Sequence, residues 1–220
     1  MADVAIITAI TDGYDALKPV LPQTGVDVEW VCVTDGEPLP DADAAQGWTM
    51  ICQPRHDRPA NREAKRPKLR PWEYTDAAAS IWIDASFRVV SDRFAAEALA
   101  LADPIAQFPH PWRNCLYDEV AASALLPKYR GEPLAVQAAH YRARGHPEQW
   151  GLWAAGVIAR RHTHAVRQLG DAWAHEVAAW SVQDQVSQPY TLRTVGLRPA
   201  LLPGTHFANP WLSYEGSGRH

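Results

Sequence analysis

Six short apolar runs, rich in β-branched residues, recur along the first three quarters of the chain, and each ends at a polar or turn-forming residue. They span Ala2 to Thr11, Val26 to Thr34, Trp48 to Gln53, Ile81 to Ile83, Ile105 to Phe108 and Ala155 to Ala159. Runs of this length bounded by turn signals predict buried strands. The first closes on Asp12-Gly13 and the second on Asp35-Gly36, both turn signatures. Between and after them the periodicity lengthens. Ser91 predicts the cap of a helix to about Ala102, with Phe94, Ala95, Ala98, Leu99 and Ala102 on one face. Tyr117 to Leu126 reads as helix. So does Glu132 to Arg144, with Pro133 early, Gly145 as the stop and Pro147 beyond it. His162 to Trp180 predicts a long helix, and Ser181 the cap of a last one to about Thr191.

Strands alternating with helices predict an α/β fold with a mostly parallel sheet. A length of 220 residues fits one domain with a modest appendage. The division expected is 1–198 as the domain and 199–220 as a tail, rich in Pro, Gly and aromatics, that closes over the active site. Pro38 to Gln46 reads as loop. Pro67 and Pro71 interrupt any helix in the stretch from Pro59 to Glu73.

Composition narrows the function classes. With 47% apolar residues the chain can bury an ordinary core. No apolar run approaches the roughly 20 residues of a membrane span, and the N-terminus lacks the pattern of a signal peptide. Cys32, Cys52 and Cys115 are odd in number and scattered, which argues against a disulfide framework. A reducing cytoplasm is the expected home. His162 and His164, two apart, do not face each other on a helix and do not predict a zinc site with His175.

The net charge of −4 conceals an asymmetry. From Arg55 to Arg70 seven cations (Arg55, Arg58, Arg62, Lys65, Arg66, Lys68, Arg70) face Asp57 and Glu63, a balance of +5 that leaves −9 for the remainder. A local cationic block on an acidic protein points to a confined anionic ligand. Ser80 to Ser86, Ser-Ile-Trp-Ile-Asp-Ala-Ser, is the complementary feature: a buried strand that delivers Asp84 to its C-terminal end, where ligands bind in open α/β sheets. A carboxylate there suits a hard divalent cation shared with phosphate oxygens.

Seven segments in order carry a resemblance: Thr8-Ala-Ile-Thr-Asp-Gly-Tyr-Asp15, Val31-Cys-Val-Thr-Asp35, Asn61-Arg-Glu-Ala-Lys65 with Lys68, Ile81-Trp-Ile-Asp-Ala-Ser86, Phe108-Pro-His-Pro-Trp-Arg113, Gly151-Leu with Gly156-Val-Ile-Ala-Arg160, and Trp180-Ser-Val-Gln-Asp-Gln185. Over residues 5 to 195 the chain resembles the plant mucilage and turgor-regulation glycosyltransferase-like family, one branch of which is described as a ceramidase. More distantly it is similar to glycogenin-like retaining glycosyltransferases of the GT-A fold. The segment Gly204-Thr-His-Phe-Ala-Asn-Pro-Trp211 then matches the place where those relatives have a metal-binding histidine. Ser86 is the departure, since those relatives carry a second Asp there.

What the resemblance implies is a GT-A-like enzyme moving a sugar from a nucleotide-diphosphate donor, UDP-linked and with retention of configuration. Asp84, Ser86 and His206 are the expected ligands of Mn²⁺ or Mg²⁺; Asp with His favours Mn²⁺. Arg62, Lys65 and Lys68 are expected to clamp the phosphates. Thr8, Ala9, Asp12, Tyr14, Thr34 and Asp35, in the turns after the first two strands, are expected around the nucleotide. Asp184 and Gln185 are expected beside the reacting carbon, in a first helical turn whose dipole favours a carboxylate. His110, Trp112, Arg113, Glu119 and Gly156 are expected along the sugar and acceptor. The acceptor stays open between a glycan, a protein and a modified nucleobase. Two other readings are a hydrolase working without nucleotide and a nucleic-acid-acting protein.

Overall fold

The computed structural model describes residues 2–37, 45–55 and 59–216. Most of the loop expected from Pro38 onward, and Asp57 and Arg58 of the cationic block, lie outside the described residues.

A seven-stranded sheet runs through the molecule in the order β3-β2-β1-β4-β7-β6-β8. Its strands are β1 (Val4–Ile10), β2 (Val28–Thr34), β3 (Thr49–Cys52), β4 (Ala79–Ile83), β6 (Ile105–Pro109), β7 (Trp153–Arg161) and β8 (Ala200–Leu201). β1 pairs in parallel with β2 and β4, β2 with β3, and β6 with β8, while β7 is antiparallel to both its neighbours. The sheet is mostly parallel, as the alternation of elements predicts. The chain builds outward from β1 to β3 and then returns to lay β4 on the other side of β1. The crevice at the C-terminal ends of β1 and β4 is therefore a topological switch point, where open α/β sheets take their ligands.

Alternate side chains of β1 feed two cores, the consequence of a period of two in a strand. Val4, Ile6 and Ile10 pack with Phe94, Ala95 and Ala98 of α3 (Phe94–Leu101), with Trp211 and with Leu202. Ala5 and Ile7 pack with Leu69 of α2 (Arg66–Leu69), Leu169 and Trp173 of α6 (His164–Ala179) and Leu192 of α7 (Asp184–Val195). A third cluster joins α4 (Leu116–Ser123), α5 (Leu134–Ala143) and Val186 of α7. The prolines divide the cationic stretch as expected, into α1 (Ala60–Glu63), α2 and a 3-10 turn at Pro71–Glu73.

Three local expectations change. Ser181 does not cap the last helix: its hydroxyl donates to Gln137 Oε1 at 2.6 Å, and α7 begins at Asp184 with no side-chain cap. Thr163, not singled out in the sequence, caps α6 by accepting from the Val166 N–H at 3.3 Å. The tail is not all loop. β8 joins the main sheet, and β9 (Leu212–Tyr214) pairs antiparallel with β5 (Phe87–Val89), strands of two and three residues too short to leave a periodic signal.

One electrostatic fastening closes the sheet's C-terminal edge. Asp184 receives Lys65 Nζ at 2.9 Å and Lys68 Nζ at 2.7 Å, and Lys68 also faces Asp84 at 3.5 Å. Burial alone pushes the Asp184 carboxyl up, but Lys65 and Lys68 outweigh it and hold the group well below the usual carboxylate range. Burial likewise pulls Lys68 down, and Asp184 and Asp84 reverse it to a net rise. Both groups stay charged at neutral pH.

Two outcomes follow. Asp184→Asn strands a buried ammonium, so the urea midpoint at pH 7 falls by the equivalent of about 3 kcal/mol or more. Because the folded carboxyl titrates below its unfolded value of about 3.9, its stabilisation is complete above that pH and fades as pH falls through the folded value. The gap between wild type and Asp184→Asn therefore narrows in urea titrations taken progressively below pH 4; a constant gap refutes the pairing. Gly170 of α6 is the second case: a Cβ there meets the Leu69 carbonyl oxygen and the Trp72 ring, each at 2.4 Å. Alanine gains about 1 kcal/mol of helix propensity, yet overpacking against a backbone atom costs about 1–3 kcal/mol. Gly170→Ala lowers the thermal midpoint, and a raised midpoint would contradict that contact.

Candidate active site

The crevice at the ends of β1 and β4 is a cleft of about 660 Å³. Its floor comes from Ala9, Ile10 and Thr11 at the end of β1 and from Trp82, Asp84, Ala85 and Ser86 at the end of β4. Arg55, Lys65, Lys68 and Lys128 bring cations to it, and Tyr14, Tyr129, Val182 and Gly216 complete the walls.

Asp84 owes its place to the β4 register. Its N–H donates to the Gly156 carbonyl at 2.8 Å, extending the ladder to β7 by one residue, and its carbonyl accepts from Phe87 N–H at 2.9 Å in the turn to β5. Oδ1 accepts from the Trp82 indole at 2.6 Å. Oδ2 lies so near the Gly156 Cα that a Cβ there would sit 3.1 Å from it and 3.0 Å from the Phe87 ring. A side chain there would press on both the carboxylate and the ring, each of which would have to give by a few tenths of an ångström. The Asp84 side chain remains 43% accessible, so one oxygen faces the cleft.

His206 lies on the far side of Phe87, its ring centroid 5.8 Å from that ring. Burial, reinforced by His110 and opposed by Asp84, lowers its pKa to about 4. The imidazole is neutral at pH 7, the form a metal requires, and its Nδ1 is buried with no hydrogen-bond partner. Asp84 and His206 are thus a compatible donor pair. Among the described residues no three His, Cys, Asp or Glu side chains gather into a metal-binding group, so a cation here needs oxygen ligands from its substrate. The loop holding His206 is braced by Asn209, whose Oδ1 accepts from the N–H groups of Trp211 and Leu212, each at 2.9 Å.

The other expected residues divide sharply. Ala9, Asp12 and Tyr14 line the cleft with Lys65 and Lys68. Asp35 sits behind it: its buried carboxylate accepts from Asp12 N–H at 2.9 Å and pairs with Arg55 Nε at 2.7 Å, fixing the first turn and aiming the arginine. Thr8 and Thr34 are buried and outside the cleft lining, Thr8 among Leu17, Trp30, Trp48 and Ile83. Arg62 is turned away from the phosphate role expected of it. Its guanidinium donates to the Trp180 carbonyl at 3.0 Å and to the Val177 carbonyl, closing the C-terminal end of α6, and faces Glu132 at 3.4 Å.

Asp184 is 3% exposed and lies beneath Lys65 and Lys68, outside the cleft lining. Gln185 uses its side-chain carbonyl to accept from Ala155 N–H at 3.1 Å on β7. Glu119 is likewise internal: it takes Arg113 Nε at 2.6 Å, lies 3.6 Å from His110 Nε2, and accepts from Gln183 at 3.1 Å. Gln183 in turn accepts from the Tyr129 hydroxyl at 2.9 Å. Burial and the neighbouring Arg113 lower the His110 pKa to about 4. Trp112 is the exposed member of that group, at 69%.

Two cleft residues escaped the sequence reading. Lys128 stands in a 3-10 turn (Pro127–Tyr129) after α4, and among the described residues no carboxylate pairs with it. The protein around its ammonium and the nearby Lys65 hold its pKa below the usual lysine value. Tyr129 follows it into the wall, its ring 5.1 Å from the lysine nitrogen. Set between Leu125-Leu126-Pro127 and Arg130 and remote from the cationic block, neither belongs to a periodic or charge pattern.

Comparison with known proteins agrees with this architecture. Residues 53–202, about two thirds of the chain, match the family model described as the TOD1/MUCI70 glycosyltransferase-like domain. No curated protein matches. Among 217 matching chains of solved structures is the apo structure of the bifunctional glycosyltransferase WbbM. It superposes with a TM-score of 0.52 at 10% identity over 92% of this chain, a likeness of fold. The chain spans 39% of the length of that protein. With the matched segment running from just before the cationic helices through Asp84 and Asp184 to β8, this chain belongs to the TOD1/MUCI70 glycosyltransferase-like family.

Proposed function

We propose that the chain transfers a glycosyl group from a nucleoside-diphosphate sugar, UDP-linked, with a divalent cation shared between Asp84 and the donor's diphosphate. The observation that carries this reading is the charge balance of the cleft. Arg55, Lys65, Lys68 and Lys128 face Asp12, Asp15 and Asp84 in its lining, with Asp35 and Asp184 directly behind. Four cations against five carboxylates leave no excess positive charge for a bare diphosphate. A diphosphate that arrives with Mn²⁺ or Mg²⁺ brings its own neutralisation, and needs from the protein a partly exposed carboxylate, which is Asp84.

Asp84 and His206 would hold the cation with Ser86; Asp84 and Ser86 line the cleft, while His206 stands outside its lining against the Phe87 ring, centroids 5.8 Å apart. When bound, the ion supplies Lewis-acid stabilisation of charge building on the leaving diphosphate. The protein's own cations assist: Lys128 is not committed to a carboxylate among the described residues, and Lys65 is partly accessible at 23%. In the transfer the bond between the anomeric carbon and the diphosphate oxygen breaks. The acceptor oxygen bonds to the same carbon, and the acceptor's proton leaves with the diphosphate.

Retention of configuration is part of the reading. Inversion calls for a general base opposite the leaving group, and Asp184, held in its charged form by two lysines, is a poor proton acceptor. Its role here is to fix those lysines under the diphosphate. The nucleobase and ribose are assigned to the end of the cleft formed by Asp12, Tyr14 and Arg55.

Calorimetry and thermal shift with UDP, with and without Mn²⁺, test the reading. UDP with Mn²⁺ raises the melting temperature by mass action, and Asp84→Asn removes the metal-dependent part of the rise. Absence of any shift at millimolar UDP overturns the proposal. Lys128→Ala weakens UDP binding about tenfold, the loss of one charge-assisted contact, while leaving the apo melting temperature within a degree or so, since among the described residues no carboxylate pairs with that lysine and its one ring contact is with the neighbouring Tyr129. A variant that binds UDP as tightly as wild type removes Lys128 from the phosphate site.

A further inference from the structure

Beside the cleft an exposed row of rings has no role in donor binding. Trp112 is 69% exposed, Phe207 44% and Tyr214 42%, large exposures for aromatic side chains. They form one surface: Trp112 and Phe207 have ring centroids 5.6 Å apart at 35°, and Phe207 meets Tyr214 edge to face at 5.1 Å. Tyr214 touches Phe87 at 5.5 Å, and Phe87 is the ring against which Asp84 and Gly156 pack. The row therefore runs from solvent to the carboxylate at the cleft floor. It is assembled from the segment after β6 and from the tail, both pinned, since His110 Nδ1 accepts from Arg113 N–H at 3.0 Å and Asn209 braces the loop.

We propose that this aromatic row is the acceptor-binding surface, and that the acceptor is a carbohydrate whose pyranose rings lay their C–H faces on Trp112 and Phe207. The inference rests on the glycosyl-transfer reading and names the substrate class for the same site. Continuity with Asp84 is the first support, because an acceptor hydroxyl must reach the carbon attached to the diphosphate. Ring geometry is the second. The exposed members are all aromatic and meet at edges and tilts; the Arg113 guanidinium lies 6.0 Å over the Trp112 ring, and the large exposure of Trp112 leaves ring surface that suits the flat apolar side of a sugar. An acyl chain seeks an enclosed aliphatic trough, and the exposed part of this row contains no aliphatic side chain. A polyanionic strand needs spare cations beside its stacked base. The nearest guanidinium, Arg113, is already paired with Glu119 at 2.6 Å.

Calorimetry with cello-, xylo- and chito-oligosaccharides of three to six residues, with UDP and Mn²⁺ present, provides the test. At least one series binds, and Trp112→Ala weakens it about tenfold or more while UDP affinity stays that of wild type. Val136→Ala, an exposed apolar position on α5, leaves oligosaccharide binding unchanged. Wild-type protein that binds UDP but none of the sugars at millimolar concentration overturns the acceptor assignment and spares the donor site; absence of UDP binding sinks both. Trp112-dependent binding of ceramide-containing vesicles or of a single-stranded oligonucleotide, in place of sugars, also overturns it.

Discussion

A lysine buried to 3% exposure is the constraint on which the rest of this site depends. Taking an ammonium out of water costs several kcal/mol unless carboxylates meet it with good geometry. Lys68 is met by Asp184 at 2.7 Å and Asp84 at 3.5 Å, and its ammonium lies 5.7 Å from the Trp82 ring. Those groups come from α2, β4 and the first turn of α7, so satisfying one charge brings three distant segments to the same point. Beneath it the fully buried Arg160 donates to the Lys68 carbonyl, fixing the backbone as well. Burial lowers that guanidinium to about 9, still charged at neutral pH.

The same constraint separates residues that look alike in sequence. Arg62, Lys65 and Lys68 share a short cationic stretch, yet one closes a helix end, one bridges to the cleft and one is buried. Arg66 and Arg70 take Glu73 and Asp171 as partners, at 2.9 Å each. Among the described residues the positive block is thereby largely paired with carboxylates, in part at the surface. That outcome disfavours a nucleic-acid surface built from it, and leaves Lys128, from another part of the chain, as the cation without a carboxylate partner in the cleft lining.

Legibility in the sequence followed the physics of each element. Five of the six strands of the apolar runs read clearly because burial selects continuous apolar residues, and Asp84 marks the end of one such run; β3, at the sheet edge, is mostly exposed and owes its signal to its flanks alone. Helix α3 reads correctly in its buried face, Phe94, Ala95, Ala98 and Leu99, but not in its cap: it starts at Phe94 after Arg93 with no side-chain cap, and Ser91 accepts from Arg93 N–H at 3.3 Å instead. What could not be read was direction. Whether Arg62 points into the cleft or at the α6 carbonyls depends on how α1 docks, a tertiary fact with no local signal. Ser181 has the composition of a cap, but a buried amide on α5 competes for its hydroxyl. The resemblance to glycogenin-like enzymes implies Asp184 beside the reacting carbon, and its first-turn position fits a carboxylate there. It lies one layer deeper because two lysines claim it.

Gly156 shows why the two halves of the cleft come as a unit. The cationic floor is built from 55 to 86, while the aromatic row comes from the segment after β6 and from the tail; β7 runs between them in the sheet. At Gly156 the strand passes so close to Asp84 and Phe87 that any side chain would press on the carboxylate and on the ring together. Phe87 in turn supports His206 and Tyr214, so the position of the acidic group and that of the aromatic row share one contact point. On the proposed reading, a donor held at Asp84 and an acceptor laid on the rings would be registered to each other through Phe87, which lies against Gly156. The chemistry of transfer requires such a coupling, because reacting atoms must approach to about 3–3.5 Å for proximity to lower the barrier.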